Sequence, residues 1–284
     1  MEIKKICVAG GGRMGRQIAM CAAIHGVEAT VYDLMDAVLA DVDQWAKEYL
    51  DGRVAKGRMT QEQVDEIAAR FHTCKDLQES VKGVDCIIEC IIEKEDVKRE
   101  FFKTVDAFID EHVILATNSS YMVSSKFADC VKNPSKMCNM HFYNPALVMK
   151  FVEVVQGPHT SEETAGAVYA LCKKMEKMPI WQKKEIDGFA GNYLIAGLYQ
   201  RARYLVENGY CTPEEVDIAM EYGFNHKMGP FRLNDLTGVD LTFTMMQSTY
   251  EKTGKKPDMY DTYEKMVNEG RLGRKTGHGF YDYE

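Results

Sequence analysis

Several things are missing from this chain of 284 residues, and each absence excludes something. No apolar run nears the roughly 20 residues a helix needs to cross a bilayer, so no membrane span is expected. Basic charge is in deficit: 35 Lys and Arg face 43 Asp and Glu, for a net charge of −8. No global positive field therefore draws nucleic acid or an acidic membrane surface, although a local basic patch can still hold one phosphorylated small molecule. The nine cysteines form no C-x-x-C pair. Scattered and odd in number, with Cys86 and Cys90 inside an apolar strand-like run, they read as buried reduced thiols of a cytoplasmic protein. Histidines at metal-ligand spacing and a G-x-S-x-G elbow are both lacking, so neither a metal centre nor a serine hydrolase is expected. His226 and His278 lie in loops and receive no role. The N-terminus, MEIKKICVAGGG, turns glycine-rich too early for a signal peptide.

What is present is an alternation. Strand-like runs at 3–10, 28–33, 84–91, 113–117, 137–142, 151–156 and 178–182 are separated by helical spacing at Arg13–His25, about 96–109 and 162–176. After the second strand the pattern is interrupted by a helical hairpin. Its arms are residues 36–57 and a helix opened by the capping box Thr60-x-x-Gln63, and its tip carries Arg53, Lys56 and Arg58. The expected fold is α/β: a Rossmann-type, doubly wound, mostly parallel sheet with an inserted helical hairpin. Beyond the charged stretch KKEID (183–187) the strands stop, and 188–208, 213–223, 230–252 and 258–270 read as helices. The expected domains are 1–184, nucleotide-binding, and 185–284, an all-helical domain for dimerisation and substrate. Its core is small, so part of its apolar surface is expected to join two subunits.

Gly10-Gly11-Gly12-Arg13-Met14-Gly15 fits G-x-G-x-x-G between a strand and a helix. Gly10 permits the turn, Gly12 lets a pyrophosphate approach the backbone, and Gly15 lets helix and strand pack closely. The helix N-terminus favours the anion. Asp33 ends the second strand, where a carboxylate accepts from a ribose diol and repels a 2′-phosphate, which favours NAD over NADP. Glu153 stands inside the apolar run FVEVV, where a carboxylate needs a partner. His141 is a candidate if the strand 151–156 runs back antiparallel to 137–142. A histidine, with unperturbed pKa about 6.5, suits removal of a hydroxyl proton near neutrality, and a carboxylate on its other nitrogen fixes the tautomer.

These features, with TNSS (117–120), MHFYNP (140–145), VMKFVEV (148–154), GFAGN (188–192), KMGPFRLNDLTGVD (227–240) and GRKTGHGFYDY (273–283), make the chain resemble the L-3-hydroxyacyl-CoA dehydrogenase family over essentially its whole length. Within that family it looks most like the bacterial 3-hydroxybutyryl-CoA dehydrogenases. The resemblance implies a homodimeric NAD-dependent oxidoreductase of fatty-acid or butyrate metabolism, interconverting an (S)-3-hydroxyacyl-CoA and the 3-oxoacyl-CoA. By the same resemblance His141 is the general base and Glu153 orients it. Ser120 and Asn192 contact the substrate oxygen or the nicotinamide end, and Glu93, Lys98, Asn144 and Lys275 contact the cofactor. Lys56 meets the CoA phosphates. The chain departs from the family at Tyr121, where a Ser is usual, and at Asp187, Tyr193 and Lys227; Arg13 and Arg16 replace small or apolar residues. Two alternatives stay open: a dehydrogenase of a 3-hydroxy acid without CoA, and a non-catalytic dinucleotide-binding protein.

Overall fold

The segments KICVA, CIIE and ILAT are short, apolar and rich in β-branched residues, and each is buried along nearly its whole length as a central strand must be. In the computed structural model, which describes residues 1–283, they belong to a first unit, Met1–Ala190, followed by a second, Gly191–Glu284. The first unit runs β1 (Lys5–Ala9), α1 (Arg13–Ile24), β2 (Glu28–Tyr32), α2 (Asp36–Ala55), α3 (Gln61–Ala68), β3 (Phe71–Cys74), α4 (Leu77–Ser80), β4 (Cys86–Glu89) and α5 (Glu95–Asp106). It continues with β5 (Ile114–Thr117), β6 (Met137–Phe142), β7 (Phe151–Val155), α6 (Glu162–Lys174) and β8 (Met178–Gln182).

The eight strands form one sheet in the order β3-β2-β1-β4-β5-β6-β7-β8. Pairing is parallel throughout except between β6 and β7, which run antiparallel with His141 opposite Glu153. The chain leaves β1 toward β2 on one side and returns to β4 on the other. That reversal opens a crevice at the carboxyl ends of β1 and β4, where doubly wound sheets bind their ligands. One face of the sheet (Ile6, Val8, Ile88, Met140, Val152) is covered by α1 and α6, the other (Cys7, Ile87, Leu115, Met137) by α5. Each such buried large apolar side chain contributes about 1.5–3 kcal/mol. The alternation matters for the site. Met140, Phe142, Val152 and Val154 point into the first face, so His141 and Glu153 point to the second.

The structure adds one strand to the expectation. FHTC forms β3, an edge strand only partly buried, so it lacks the continuous apolar run by which the central strands are recognised. The hairpin α2–α3 is present, with its capping box formed at Thr60 and Gln63.

The second unit holds most of α7 (Phe189–Glu207), then α8 (Pro213–Ile218) with a π turn to Gly223, α9 (Pro230–Thr237), α10 (Val239–Thr253) and α11 (Tyr260–Asn268). The single helix expected at 230–252 is two, broken at Gly238, whose φ of 115° no helix accommodates. Phe231, Val239, Phe243, Tyr260 and Tyr263 form the core of this unit. Two buried aspartates tie down the C-terminal segment. Asp217 accepts from the Tyr281 hydroxyl at 2.7 Å, and Asp235 accepts from the Phe280 and Tyr281 amides at 2.9 Å each.

Candidate active site

The site is built from three clusters at the carboxyl ends of the strands. The first is the glycine turn after β1. Gly10 adopts φ +107°, and a Cβ there would lie 2.6 Å from the Cys90 carbonyl oxygen. A Cβ on Gly15 would lie 1.9 Å from the Gly10 oxygen, so α1 can pack against the turn only with glycine. Gly12 differs: no atom lies within 4 Å of a Cβ built on it, and it caps α1 without a side-chain hydrogen bond. Its open surface and the uncapped first-turn amides leave room and donors for a pyrophosphate. Asp33, just past β2, accepts from the Gly11 amide at 2.8 Å and the Met35 amide at 3.0 Å. A carboxylate has about four acceptor positions, so these two bonds leave capacity for a ribose diol. The residues present thus fit a dinucleotide. An open depression of about 290 Å³ lies alongside, lined by Gly11, Gly12, Arg13, Arg16, Val38 and Asp41. Arg16 is engaged there, paired with Asp41 at 2.7 Å and lying over the Trp45 ring at 5.0 Å.

The second cluster is a buried charge network at the ends of β4 and β5. Glu89 is fully buried and accepts three hydrogen bonds. Its Oε1 accepts from the Lys98 ammonium at 2.6 Å and the Ile91 amide at 2.8 Å, and its Oε2 from the Thr117 hydroxyl at 2.7 Å. Burial raises the carboxyl's proton affinity, and Lys98 and the hydrogen bonds pull it back. Lys98, itself buried, also pairs with Glu93 at 3.1 Å. Glu93 in turn accepts a short hydrogen bond from the Ser119 hydroxyl. Lys98 and Glu93, singled out by resemblance, are therefore partners of one another. Glu89 was not singled out, yet it carries the signal that marks Glu153: a carboxylate inside an apolar strand, here CIIE.

The third cluster sits where β5 and β6 end and the antiparallel β7 enters the sheet. His141 Nδ1 lies 2.8 Å from Glu153 Oε2, and Nε2 lies 3.1 Å from Ser120 Oγ. His141 is only 3 % exposed and Glu153 not at all. With Nδ1 donating to the carboxylate, Nε2 carries the lone pair and the Ser120 hydroxyl donates to it. Strand register alone places His141 against Glu153. The loop that brings Ser120 is held separately: Asn118 Oδ1 accepts from the Phe142 amide at 2.9 Å, and Asn139 bridges the Met122 carbonyl and the Ser124 amide. The His141 ring packs against Tyr143 at 4.8 Å and Phe189 at 5.4 Å between centroids. The Tyr143 hydroxyl donates to Glu153 Oε2 at 3.1 Å. Sequence reading missed Tyr143; no spacing rule marks a tyrosine two residues past the histidine as the carboxylate's second donor. Tyr121 stands half exposed beside this cluster, and burial, then Glu93, raises its phenol above the ordinary value.

Of the remaining expected residues, Asn144 is exposed beyond β6, and Lys56 is exposed where α2 ends at the hairpin tip. Asn192 lies in the first turns of α7 within the second unit. Lys275, also there, makes two 2.6 Å bonds to Asp240, and these bonds, ahead of burial's opposing effect, lower the proton affinity of that carboxyl. Together the first-unit clusters offer a seat for a dinucleotide and an oriented, buried imidazole a few strands away along one sheet edge.

Comparison with known proteins agrees with that arrangement. Residues 5–186 match the 3-hydroxyacyl-CoA dehydrogenase NAD binding domain, and residues 188–283 match the C-terminal domain of the same enzymes. A probable 3-hydroxybutyryl-CoA dehydrogenase of Bacillus subtilis is 38% identical over 100% of this chain and 99% of its own. The human mitochondrial hydroxyacyl-coenzyme A dehydrogenase is 33% identical over 99% of this chain and 92% of its own. Among solved structures, the (S)-3-hydroxybutyryl-CoA dehydrogenase PaaH1 from Ralstonia eutropha superposes with a TM-score of 0.89 at 32% identity, each chain covered in full.

Proposed function

This chain belongs to the 3-hydroxyacyl-CoA dehydrogenase family, and on that premise we propose that His141 is its general base, oriented by Glu153, acting on the hydroxyl of a short-chain (S)-3-hydroxyacyl-CoA. The enzyme is an NAD-dependent 3-hydroxyacyl-CoA dehydrogenase. The observation that carries the assignment of the base is the geometry around His141: a buried carboxylate at 2.8 Å on one ring nitrogen, and a hydroxyl at 3.1 Å on the other.

Gly10, Gly12, Gly15 and Asp33 would hold NAD at the glycine turn, with Glu93, Lys98 and Asn144 as further contacts, and the bound cofactor would supply hydride chemistry at the substrate's C3 in either direction. His141 Nε2 takes the C3 hydroxyl proton, and the imidazolium so formed keeps its Nδ1 proton toward Glu153. Burial strengthens that attraction, because a charge formed away from water is screened little. Ser120, already on Nε2, donates to the substrate's C3 oxygen once substrate inserts. In reduction His141 returns the proton to the same oxygen. The family resemblance assigns Asn192 to the substrate oxygen or the nicotinamide end, Lys275 to the cofactor and Lys56 to the CoA phosphates.

Acetoacetyl-CoA with NADH tests this reading directly. We expect NADH to be consumed with acetoacetyl-CoA faster than with free acetoacetate. No consumption with any 3-oxoacyl-CoA by a protein that still binds NADH ends the proposal, and preference for the free acid moves the chain to the non-CoA alternative.

The second unit supports a homodimer: Leu194 and Phe224 are more than 70 % exposed and Tyr222 is 84 % exposed, apolar area of the kind a partner subunit covers. The nine free cysteines support a reducing, cytoplasmic setting.

A further inference from the structure

Glu153 Oε2 serves two donors. His141 Nδ1 reaches it at 2.8 Å from β6, and the Tyr143 hydroxyl reaches it at 3.1 Å from the loop that follows. From this shared oxygen we infer that Tyr143 is a positioning residue that sets the pH at which the His141–Glu153 pair exchanges its proton with substrate. The inference rests on the reading of His141 as base.

The physical reason is competition for one pair of electrons. A hydroxyl bonded to the carboxylate withdraws negative charge from the oxygen that faces the imidazole. That bond is strong while the imidazole is neutral, since the carboxylate then carries its full charge. It weakens once the imidazole is protonated and neutralises part of that charge. Tyr143 therefore stabilises the neutral-imidazole form more than the imidazolium, and so eases release of the proton from the pair. Tyr143 can hold this role across the working range because its own proton stays on: burial, then the nearby carboxylate, pushes its phenol far above the ordinary value.

Several elements pack against the pair. On β7 the group is Glu153 itself, and β8 on its far side sets the apolar Ile180 opposite it. From β6 comes the amide of Asn139, which is committed to the loop after β5. That loop contributes the Ser120 hydroxyl on the other nitrogen, and the Tyr121 phenol, close enough to influence Tyr143, with Glu93 behind it. Helix α7 contributes the apolar ring of Phe189. Tyr143 is thus the hydroxyl bonded to the carboxylate oxygen that holds His141.

Tyr143→Phe isolates the effect, because it keeps the ring that packs on His141 at 4.8 Å and removes only the hydroxyl. The experiment measures kcat/KM against pH for wild type and variant in both directions: (S)-3-hydroxybutyryl-CoA with NAD, and acetoacetyl-CoA with NADH. Oxidation needs the neutral imidazole and reduction the imidazolium. Both limbs should move to higher pH in the variant, by about half a unit to one unit, the size of a single charged hydrogen bond's influence. Below the wild-type midpoint, oxidation then falls about three- to tenfold; above it, reduction rises by the same factor. Opposite signs in the two directions cannot come from a damaged site, which slows both. Affinity for NADH, measured by fluorescence, should be unchanged and reports that the variant is folded. Limbs that stay in place in a variant that binds NADH, or rates that fall equally in both directions, overturn the role of Tyr143 and leave His141 as base. A wild-type profile with no such limb, or a His141→Gln enzyme that keeps its rate, overturns both.

Discussion

Two carboxylates lie wholly out of solvent at the crevice end of the same sheet, and they answer burial in opposite ways. Glu89, ending β4, faces the Lys98 ammonium and also accepts from the Thr117 hydroxyl and the Ile91 amide. Glu153, in the middle of β7, faces the His141 imidazole and shares its oxygen with Tyr143. The same side chain in the same kind of strand thus makes a fixed brace in one place and, in the role proposed for it, one half of a proton-transfer pair in the other. The partner decides which: lysine holds its proton throughout the working range, whereas histidine releases it near neutral pH.

The largest expected effect tests the chemical half of that contrast. His141→Gln should lower kcat by about 10²- to 10⁴-fold, the usual worth of a positioned base, with NADH affinity within a few-fold of wild type. Its urea midpoint should move little. A near-normal rate would place the base elsewhere and reduce the His141–Glu153 bond to a packing device.

The complementary change is Glu89→Gln. Removing the charge leaves Lys98 buried with Glu93, at 3.1 Å, as its one charged partner among the described residues. Breaking one side of a buried pair typically costs about 3–5 kcal/mol, and the surviving partner should hold the loss near the lower end of that range. Equilibrium urea unfolding reads this as a lower midpoint at unchanged slope. In protein that remains folded, kcat at saturating NADH should stay within a few-fold. If Glu89→Gln instead removes activity without loss of stability, the two carboxylates are not opposites, and the β4 pair acts in the reaction.

Much of this was legible beforehand. The doubly wound sheet follows from alternating apolar runs and helical spacing, the nucleotide turn from three glycines between a strand and a helix, and the His141–Glu153 pair from a carboxylate that a strand interior cannot leave alone. Glu89 carried the same signal and was passed over. Its partner stands nine residues on, across a loop and in the first turn of α5, and no strand periodicity links the two. The strand β3 escaped because an edge strand of four part-exposed residues has little pattern to show. The break at Gly238 escaped because the apolar spacing on either side reads as one helix, while the left-handed backbone between α9 and α10 is a property of the folded chain. The Tyr143 bond was invisible for a different reason. It depends on which way a side chain turns after the strand has ended, and strand register does not specify that.

Glu153→Gln sharpens the contrast at a smaller scale. The amide can still accept the Nδ1 hydrogen bond, so the ring keeps its orientation, but it offers no charge to the imidazolium. A loss of kcat of about 10- to 100-fold is expected, less than for His141→Gln, with stability altered far less than by Glu89→Gln because a neutral His141 is not a stranded charge. Equal losses from Glu153→Gln and His141→Gln would show that the base functions only as a pair.

The smallest effect concerns a third carboxylate, Asp33, which accepts from the Gly11 and Met35 amides and, among the described residues, pairs with no cation. Its charge is therefore free to discriminate between cofactors. Asp33→Ala removes the brace on the glycine turn as well as the ribose acceptor, so affinity for NADH and NADPH should both suffer through the turn. The ratio separates the two roles. Loss of the ribose bonds affects NADH alone, and loss of the charge removes repulsion of a 2′-phosphate, so NADH should weaken by about tenfold more than NADPH. Asp33→Asn keeps an acceptor for the turn and deletes the charge, and should shift the ratio in the same direction with less overall loss. Equal weakening of both cofactors in both variants would make Asp33 a brace like Glu89, and would assign the choice of NAD to other residues around the depression beside Gly12.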